Sequence, residues 1–257
     1  MKISATIITR NEASRIRPCL DSLKWVDEIV VLDSNSTDDT VKICREYTDK
    51  VFETDWPGFG IQKQRAVDLA SHQWILSIDA DERVSEELKK EIQQTIGDSS
   101  KSGYFLPRLS YLCDQPVRHC GWYPDYIVRL FKKEKGRFTQ DLVHEQIVVD
   151  GELGRLKNHL LHYSYEDFKQ FIQKFNHYSS LGAIAGARAG KRAGVFKAFV
   201  RGIIAFFKIY VFKMGFLDGS TGLIVAVSAF ESSYYKYIKL WHINKNPNEL
   251  MEIYGQR

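Results

Sequence analysis

Through the first hundred residues, short apolar runs alternate with stretches in which apolar residues recur every three or four positions. Ile3–Thr9, Glu28–Leu32, Val51–Thr54 and Trp74–Ile78 are rich in β-branched residues and read as buried strands. Between them, helical spacing covers Ser14–Leu23, the stretch from the Ser36-Thr37-Asp38-Asp39 cap to Tyr47, and Ile61–Ala70. A fourth helix is expected over Ser85–Ile96, and Asn11 stands where it would cap the first. Strands alternating with helices predict an α/β fold whose parallel sheet is covered on both faces. In such sheets ligands bind at the carboxyl ends of the strands. Polar clusters fall there: Thr9-Arg10-Asn11-Glu12, Asp33-Ser34-Asn35-Ser36 and Asp79-Ala80-Asp81-Glu82.

From Gly103 to Val149 the pattern becomes short Tyr, Phe, Val and Leu runs, which predicts antiparallel strands and irregular loops. Beyond Tyr165 the chain reads as helical almost to its end. A nucleotide-binding domain over 1–160 and a helical region over 161–257 are therefore expected. Within the second, Gly194–Phe216 is apolar except for cations that include Lys197, Arg201 and Lys208. At helical pitch these three fall within about 40° of one another, a basic stripe predicted to face away from the aromatic and aliphatic bulk. The uncharged runs Gly202–Phe207 and Gly219–Phe230 are too short to span a bilayer. The expectation is a helix lying in a membrane interface, set against a packed helix whose lysine stems snorkel.

Charge sharpens this division. Residues 1–150 hold 21 Lys/Arg against 25 Asp/Glu, and residues 151–257 hold 15 against 7, within a net charge of +4. An anionic partner is drawn to the carboxy-terminal part. The lysines there are interleaved with aliphatic runs and no nucleic-acid motif appears, so nucleic acid is excluded. Cys19, Cys44, Cys113 and Cys120 form no CxxC pair and no metal-ligand spacing. With Met1-Lys2 leading straight into a strand, no signal peptide is expected. A cytoplasmic protein, peripheral on the inner membrane, is the resulting expectation.

The chemistry concentrates in Ser77-Ile78-Asp79-Ala80-Asp81-Glu82. Two carboxylates one residue apart at a strand end suit a hard divalent cation that completes its shell with substrate phosphates. The alternative is a pair of acids stabilising the start of a helix. Asp33, ending the second strand, is placed to accept a hydrogen bond from a nucleoside or to cap the following helix. Thr9, Asn11 and Glu12 are candidates for the same nucleoside, and Lys63 and Arg65 for a phosphate.

Taken in order, Ile-Ile-Thr-Arg-Asn-Glu, Val-Val-Leu-Asp-Ser-Asn-Ser-Thr-Asp, Lys-Gln-Arg and Asp-Ala-Asp-Glu resemble glycosyltransferase family 2, from Met1 to about Glu91. The resemblance implies a GT-A fold (a Rossmann-like mixed sheet flanked by helices), a nucleotide-diphospho-sugar donor, Mg²⁺ or Mn²⁺, and inversion at the anomeric carbon. It implies that Asp33 meets the uridine, Asp79 the ribose or metal, and Asp81 the metal. A narrower resemblance rests on Trp56-Pro57-Gly58-Phe59-Gly60, Trp122-Tyr123-Pro124-Asp125, Arg129-Leu130-Phe131 and Val143-His144-Glu145. Gly215-Phe216-Leu217-Asp218-Gly219 and Tyr237-Ile238-Lys239-Leu240-Trp241 extend it over nearly the whole chain. These look like the lipopolysaccharide core β-1,4-glucosyltransferases of Gram-negative bacteria, which implies UDP-glucose as donor and an inner-core heptose, or another lipid-linked acceptor, as partner. The Glu-Asp pair that many family members use as catalytic base is missing after the Asp-Ala-Asp strand. Glu145 is the first candidate for that base, followed by Asp125 and Asp141, with His144 as a metal ligand or an orienting group. Alternatives are a polyprenyl-phosphate or peptide glycosyltransferase, and a non-catalytic nucleotide-sugar-binding protein at the membrane.

Overall fold

The β-branched runs of the amino-terminal half pair in parallel, because their side chains are apolar on both faces and each face is covered by helices. A computed structural model describes residues 1–97, 100–139, 146–165 and 167–246. Strands β1 (Ile3–Thr9), β2 (Glu28–Asp33), β3 (Val51–Glu53) and β4 (Trp74–Asp79) lie side by side in the order β3-β2-β1-β4. Helices α1 (Ile16–Asp21), α2 (Thr40–Arg45) and α3 (Phe59–Leu69) connect them. A short strand, β5 (Glu82–Val84), and helix α4 (Glu86–Thr95) follow, the latter capped by Ser85, whose hydroxyl accepts the Leu88 N–H.

The segment expected to be antiparallel supplies β6 (Gly103–Leu112), β7 (Gln115–Pro116), β8 (Asp125–Lys132), β9 (Gly136–Phe138), β10 (Ile147–Val149), β11 (Leu153–Arg155) and β12 (Leu160–Tyr165). Strand β8 runs antiparallel to β4 and carries the sheet on through β6, β12 and β5. The sheet is therefore mixed, of the GT-A kind. On one face Ile7, Trp74, Leu76, Leu88 and Leu106 make the larger core. On the other, Val30, Val67, Ile75, Phe131 and Phe138 pack together.

Two predicted helix starts are corrected. Helix α1 begins at Ile16 instead of Ser14, since Pro18 has no N–H to donate and is tolerated only in a first turn. Asn11 does not cap it. With φ at 55°, Asn11 turns across to the next loop, where its Oδ1 accepts the Thr37 N–H at 2.8 Å and its own N–H donates to Ser36 Oγ at 2.7 Å. That cross-brace joins the loops after β1 and β2. Of the cluster expected to cap α2, Asp39 directly precedes the helix with no side-chain hydrogen bond, and it is Asp38 whose Oδ1 accepts the Thr40 N–H at 3.0 Å.

At the opposite end of the sheet, Glu28 accepts hydrogen bonds from Lys50, Ser4 and the Ser71 backbone. Burial pushes its carboxyl up, but these donors outweigh burial and hold it down at about 2, against an ordinary 4.5. A carboxyl lowered on folding stabilises above its unfolded value and loses that contribution as pH falls toward the folded one. Glu28→Gln is expected to cost about 1–2 kcal/mol at pH 7, the exposed Lys50 partner limiting the effect, and to flatten the acid-induced loss between pH 4.5 and about 2. Urea titrations of both proteins across that range measure it.

The chain divides into two compact units, Met1–Leu109 with Pro124–His162, and Ser110–Tyr123 with the chain from Tyr163 on. The second is built on α5 (Phe168–Arg188), α6 (Val195–Phe207) and α7 (Gly219–Ile243). Helix α6 passes into a π-helical turn over Lys208–Phe212, and a 3₁₀ turn over Gly215–Asp218 precedes α7. Helix α7 approaches α6 closely at Gly202, where a Cβ would lie 2.8 Å from the Phe230 ring. Asp218 fixes the entry to α7 by accepting the His119 N–H at 2.8 Å and meeting His119 Nδ1 at 2.7 Å. Trp122 is partly buried in this unit's core, its ring 6.0 Å from that of Tyr165. All four cysteines are unpaired. Among the described residues no helix is long and apolar enough to cross a membrane.

Candidate active site

Strand β4 ends at Asp79, and Ala80-Asp81 turns the chain directly into β5, so Asp79, Asp81 and Glu82 fall within four residues where β4 ends and β5 begins. Asp79 and Glu82 share a partner in Arg129, and Asp81 has its own in His162. Asp79 places Oδ1 2.9 Å from Lys63 Nζ of α3, and its Oδ2 accepts from the Arg129 guanidinium of β8. Arg129 Nη2 also donates to Glu82 Oε1 at 2.9 Å, while Glu82 Oε2 accepts the Asp79 N–H at 3.0 Å. Arg108 of β6 lies 3.6 Å from Glu82 Oε1 and grips Asp125 Oδ2 through Nε at 2.9 Å and Nη2 at 2.6 Å.

The result is an unbroken alternation, Lys63–Asp79–Arg129–Glu82–Arg108–Asp125, of three cations and three carboxylates. Such alternation is what burial demands, because Glu82 is 0% exposed, Lys63 6% and Arg129 7%, and unpaired charges at those depths are strongly unfavourable. Burial pushes the Asp79 carboxyl up, but the charges of Arg129 and Lys63 outweigh it and hold Asp79 well below the usual carboxylate range. Burial works against the Arg129 cation as well, yet Asp79 and Glu82 raise its pKa further above the ordinary value. Five of these six groups, all but Glu82, line a cleft of about 680 Å³, with Phe105, Tyr126 and Phe138 among the apolar walls. Arg129 Nε is buried with no hydrogen-bond partner, a donor left over on a residue of the cleft wall.

Asp81 is placed apart from this chain of charges. Its Oδ2 lies 3.3 Å from Nε2 of His162 on β12, both side chains being mostly buried. Among the described residues no three His, Cys, Asp or Glu side chains converge.

The structure brings Asp79 and Lys63 together, and places the other candidates as follows. Asp33 is completely buried, accepting from Thr9 Oγ1 at 2.7 Å, the Ser36 N–H at 2.7 Å and Ser36 Oγ at 2.5 Å. Beside it Gln62, also fully buried, donates to Ser34 Oγ at 2.9 Å. The Glu12 N–H donates to Thr40 Oγ1 at 2.8 Å, and the Glu12 carboxylate lies 3.9 Å from Arg15. Arg65 pairs with Asp55 at 2.7 Å on the surface instead of joining Lys63. Asp141, His144 and Glu145 lie outside the described residues.

Four residues here are given no role from sequence: Arg108 and His162, and also Glu82 and Arg129, which stand in quoted motifs. One signal was present. Arg129 interrupts the apolar run Tyr126-Ile127-Val128-Arg129-Leu130-Phe131, and a charge inside a buried strand requires a buried partner.

Comparison with known proteins identifies the family. The family model described as "Glycosyl transferase family 2" matches residues 4–197. An uncharacterized glycosyltransferase of Rickettsia felis is 33% identical, over 93% of this chain and 89% of that protein. The lipopolysaccharide core biosynthesis glycosyltransferase LpsC of Rhizobium meliloti is 30% identical, over 92% of this chain and 93% of that protein. The crystal structure of S. aureus TarS 1–349 superposes with a TM-score of 0.48 at 16% identity, over 96% of this chain and 92% of that one.

Proposed function

The chain belongs to glycosyltransferase family 2, and from that premise we propose that it transfers glucose from UDP-glucose to a heptose of a lipopolysaccharide inner core, with inversion. What carries the reading is the cluster at the end of β4, where Asp79 is held between Lys63 and Arg129 on the wall of a 680 Å³ cleft. An acceptor in the lipopolysaccharide core is supported by the likeness to LpsC over 92% of this chain.

Each residue then has a task. Asp33 has no exposed oxygen, so it acts on the nucleoside end by fixing Thr9 and Ser36 and hence the two loops that Asn11 ties together. Lys63 and Arg129, both on the cleft wall, supply positive charge for diphosphate oxygens. Asp79 keeps both cations in place. One carboxylate and one imidazole, Asp81 and His162, form a donor set suited to Mg²⁺ or Mn²⁺ once phosphate oxygens and water complete the shell. When bound, that cation supplies neutralisation of the charge developing on the leaving diphosphate. Both oxygens of Asp79 are already committed to cations, which favours Asp81 over Asp79 as ligand.

Inversion by single displacement needs a carboxylate on the face opposite the leaving group, to take the proton of the acceptor hydroxyl. Asp125 lines the cleft and is 40% exposed at its side chain, with one oxygen gripped by Arg108. Glu145 and Asp141 stand beside it as candidates on sequence grounds.

A panel of UDP- and GDP-sugars, offered with and without divalent cation to a truncated core acceptor, tests the reading. UDP release with UDP-glucose, dependent on both cation and acceptor, is the expected outcome, together with a β-linked product by NMR. Turnover with a different donor would replace the sugar assignment. An α-linked product would overturn inversion.

A further inference from the structure

The second unit carries an exposed apolar surface on α6. At helical pitch, Phe196, Phe199, Val200, Ile203, Ile204 and Phe207 of α6 fall within a sector of about 140°. All six are exposed, Phe196 by 81%, and Phe212 at the end of the π-helical turn by 80%. The face that packs inward is a different one, marked by the buried Ala198 and Gly202 against α7. Lys197, Arg201 and Lys208 occupy the strip between these two faces. Helix α6 thus has three faces: small and packed, cationic, and apolar in solvent. An ordinary surface helix has two.

The cationic strip borders a groove of about 510 Å³. Helix α6 contributes Arg201, Ile204 and Ala205, and the first residue of the π-helical turn contributes Lys208. From α7 come Ser232, Ser233 and Lys236, and from α5 come Tyr178, Ser179 and Gly182. No acidic residue lines it. At Gly182 a Cβ would stand 3.1 Å from the Lys236 side chain, so the missing side chain is what lets the lysine stem lie there. Ile204 belongs both to the groove wall and to the exposed apolar face, which makes the two features continuous.

We propose that this surface docks on an anionic phospholipid membrane, the apolar face of α6 entering the headgroup–acyl boundary and the groove receiving a lipid phosphate on Arg201, Lys208 and Lys236. Charge complementarity selects that occupant. Apolar side chains rimmed on one edge by cations and hydroxyls match a layer whose phosphates lie directly above its hydrocarbon. A second copy of the chain would bring the same cations against themselves. The proposal goes beyond the sugar-transfer reading and rests on the second unit alone. It places the helix in the membrane plane and not across it.

The test uses the full chain and vesicles of phosphatidylcholine with or without phosphatidylglycerol, with co-sedimentation followed at low and high salt. Wild type is expected to sediment with the anionic vesicles at low salt and to be released by high salt. Phe196→Ser combined with Phe212→Ser should weaken partitioning by about tenfold or more. Arg201→Gln combined with Lys208→Gln should weaken it about fivefold per charge, on anionic vesicles only. In both variants UDP binding and the unfolding midpoint should stay at wild-type values. No sedimentation of wild type, or equal sedimentation on both lipids, would overturn the proposal. So would wild-type dimers in sedimentation equilibrium that become monomers in the phenylalanine variant. Turnover on a soluble acceptor fragment reads the sugar-transfer proposal separately, since it needs no vesicle.

Discussion

Asp81→Asn is expected to lower sugar transfer by about 10²–10³-fold while leaving the fold intact. Among the described residues Asp81 pairs with His162 at 3.3 Å and stands outside the six-charge alternation, so its loss leaves that alternation intact. On the proposed role, what it removes is a negative ligand for the divalent cation. Calorimetry separates this from a structural effect. UDP binding should tighten with Mn²⁺ in wild type and become indifferent to Mn²⁺ in the variant, with urea unfolding unchanged to within about 0.5 kcal/mol. His162→Ala should reproduce the indifference in milder form. A variant whose UDP binding still responds to Mn²⁺ would remove Asp81 and its partner from the metal site.

Arg129→Leu is expected to have the opposite signature, a loss of about 3–5 kcal/mol in stability. The guanidinium is 7% exposed and joins two carboxylates, one of them the fully buried Glu82. Without it Asp79 keeps Lys63, but Glu82 is left with Arg108 at 3.6 Å as its cationic contact among the described residues. Burial of a carboxylate with so little compensation is what makes the single change severe. Adding Glu82→Gln to Arg129→Leu should recover part of the loss, because the stranded charge goes with it. Urea titration of the two single variants and the double variant gives the coupling directly. Strictly additive losses would mean that the two side chains do not act as a pair.

These two residues also show where sequence reading succeeds and where it stops. Asp81 was legible because its neighbours are local: a run of apolar residues ends, and the next carboxylates must lie at the mouth of the sheet. The parallel strands were legible for the same reason, each announcing itself within six or seven residues. Arg129 meets Asp79 across 50 positions of chain, through the register of β8 against β4, and no local pattern encodes that register. Glu82 stood in the polar cluster that follows β4, yet it lies in a three-residue strand pinned by β12, whose own His162 arrives from far along the chain. In α6 the positions of the cations were predicted and their setting was not. The aromatic bulk was expected to lie on the side opposite the basic stripe, whereas the structure buries the small residues and turns the phenylalanines outward.

The alternation of charge around Asp79 has a consequence for encounter. Three carboxylates against three cations leave that cluster with no net charge, so it exerts little pull on a distant diphosphate and its attraction is confined to contact range. Donor capture would then depend on diffusion and fit, and its association rate would change little with ionic strength. The groove beside the strip along α6 is lined by no acidic residue, and on the proposed docking the strip's attraction would act over a Debye length and bias where the molecule resides before any substrate arrives. Location and selection are thus assigned to separate electrostatic regimes within one chain, one long in reach and unspecific, the other short and discriminating.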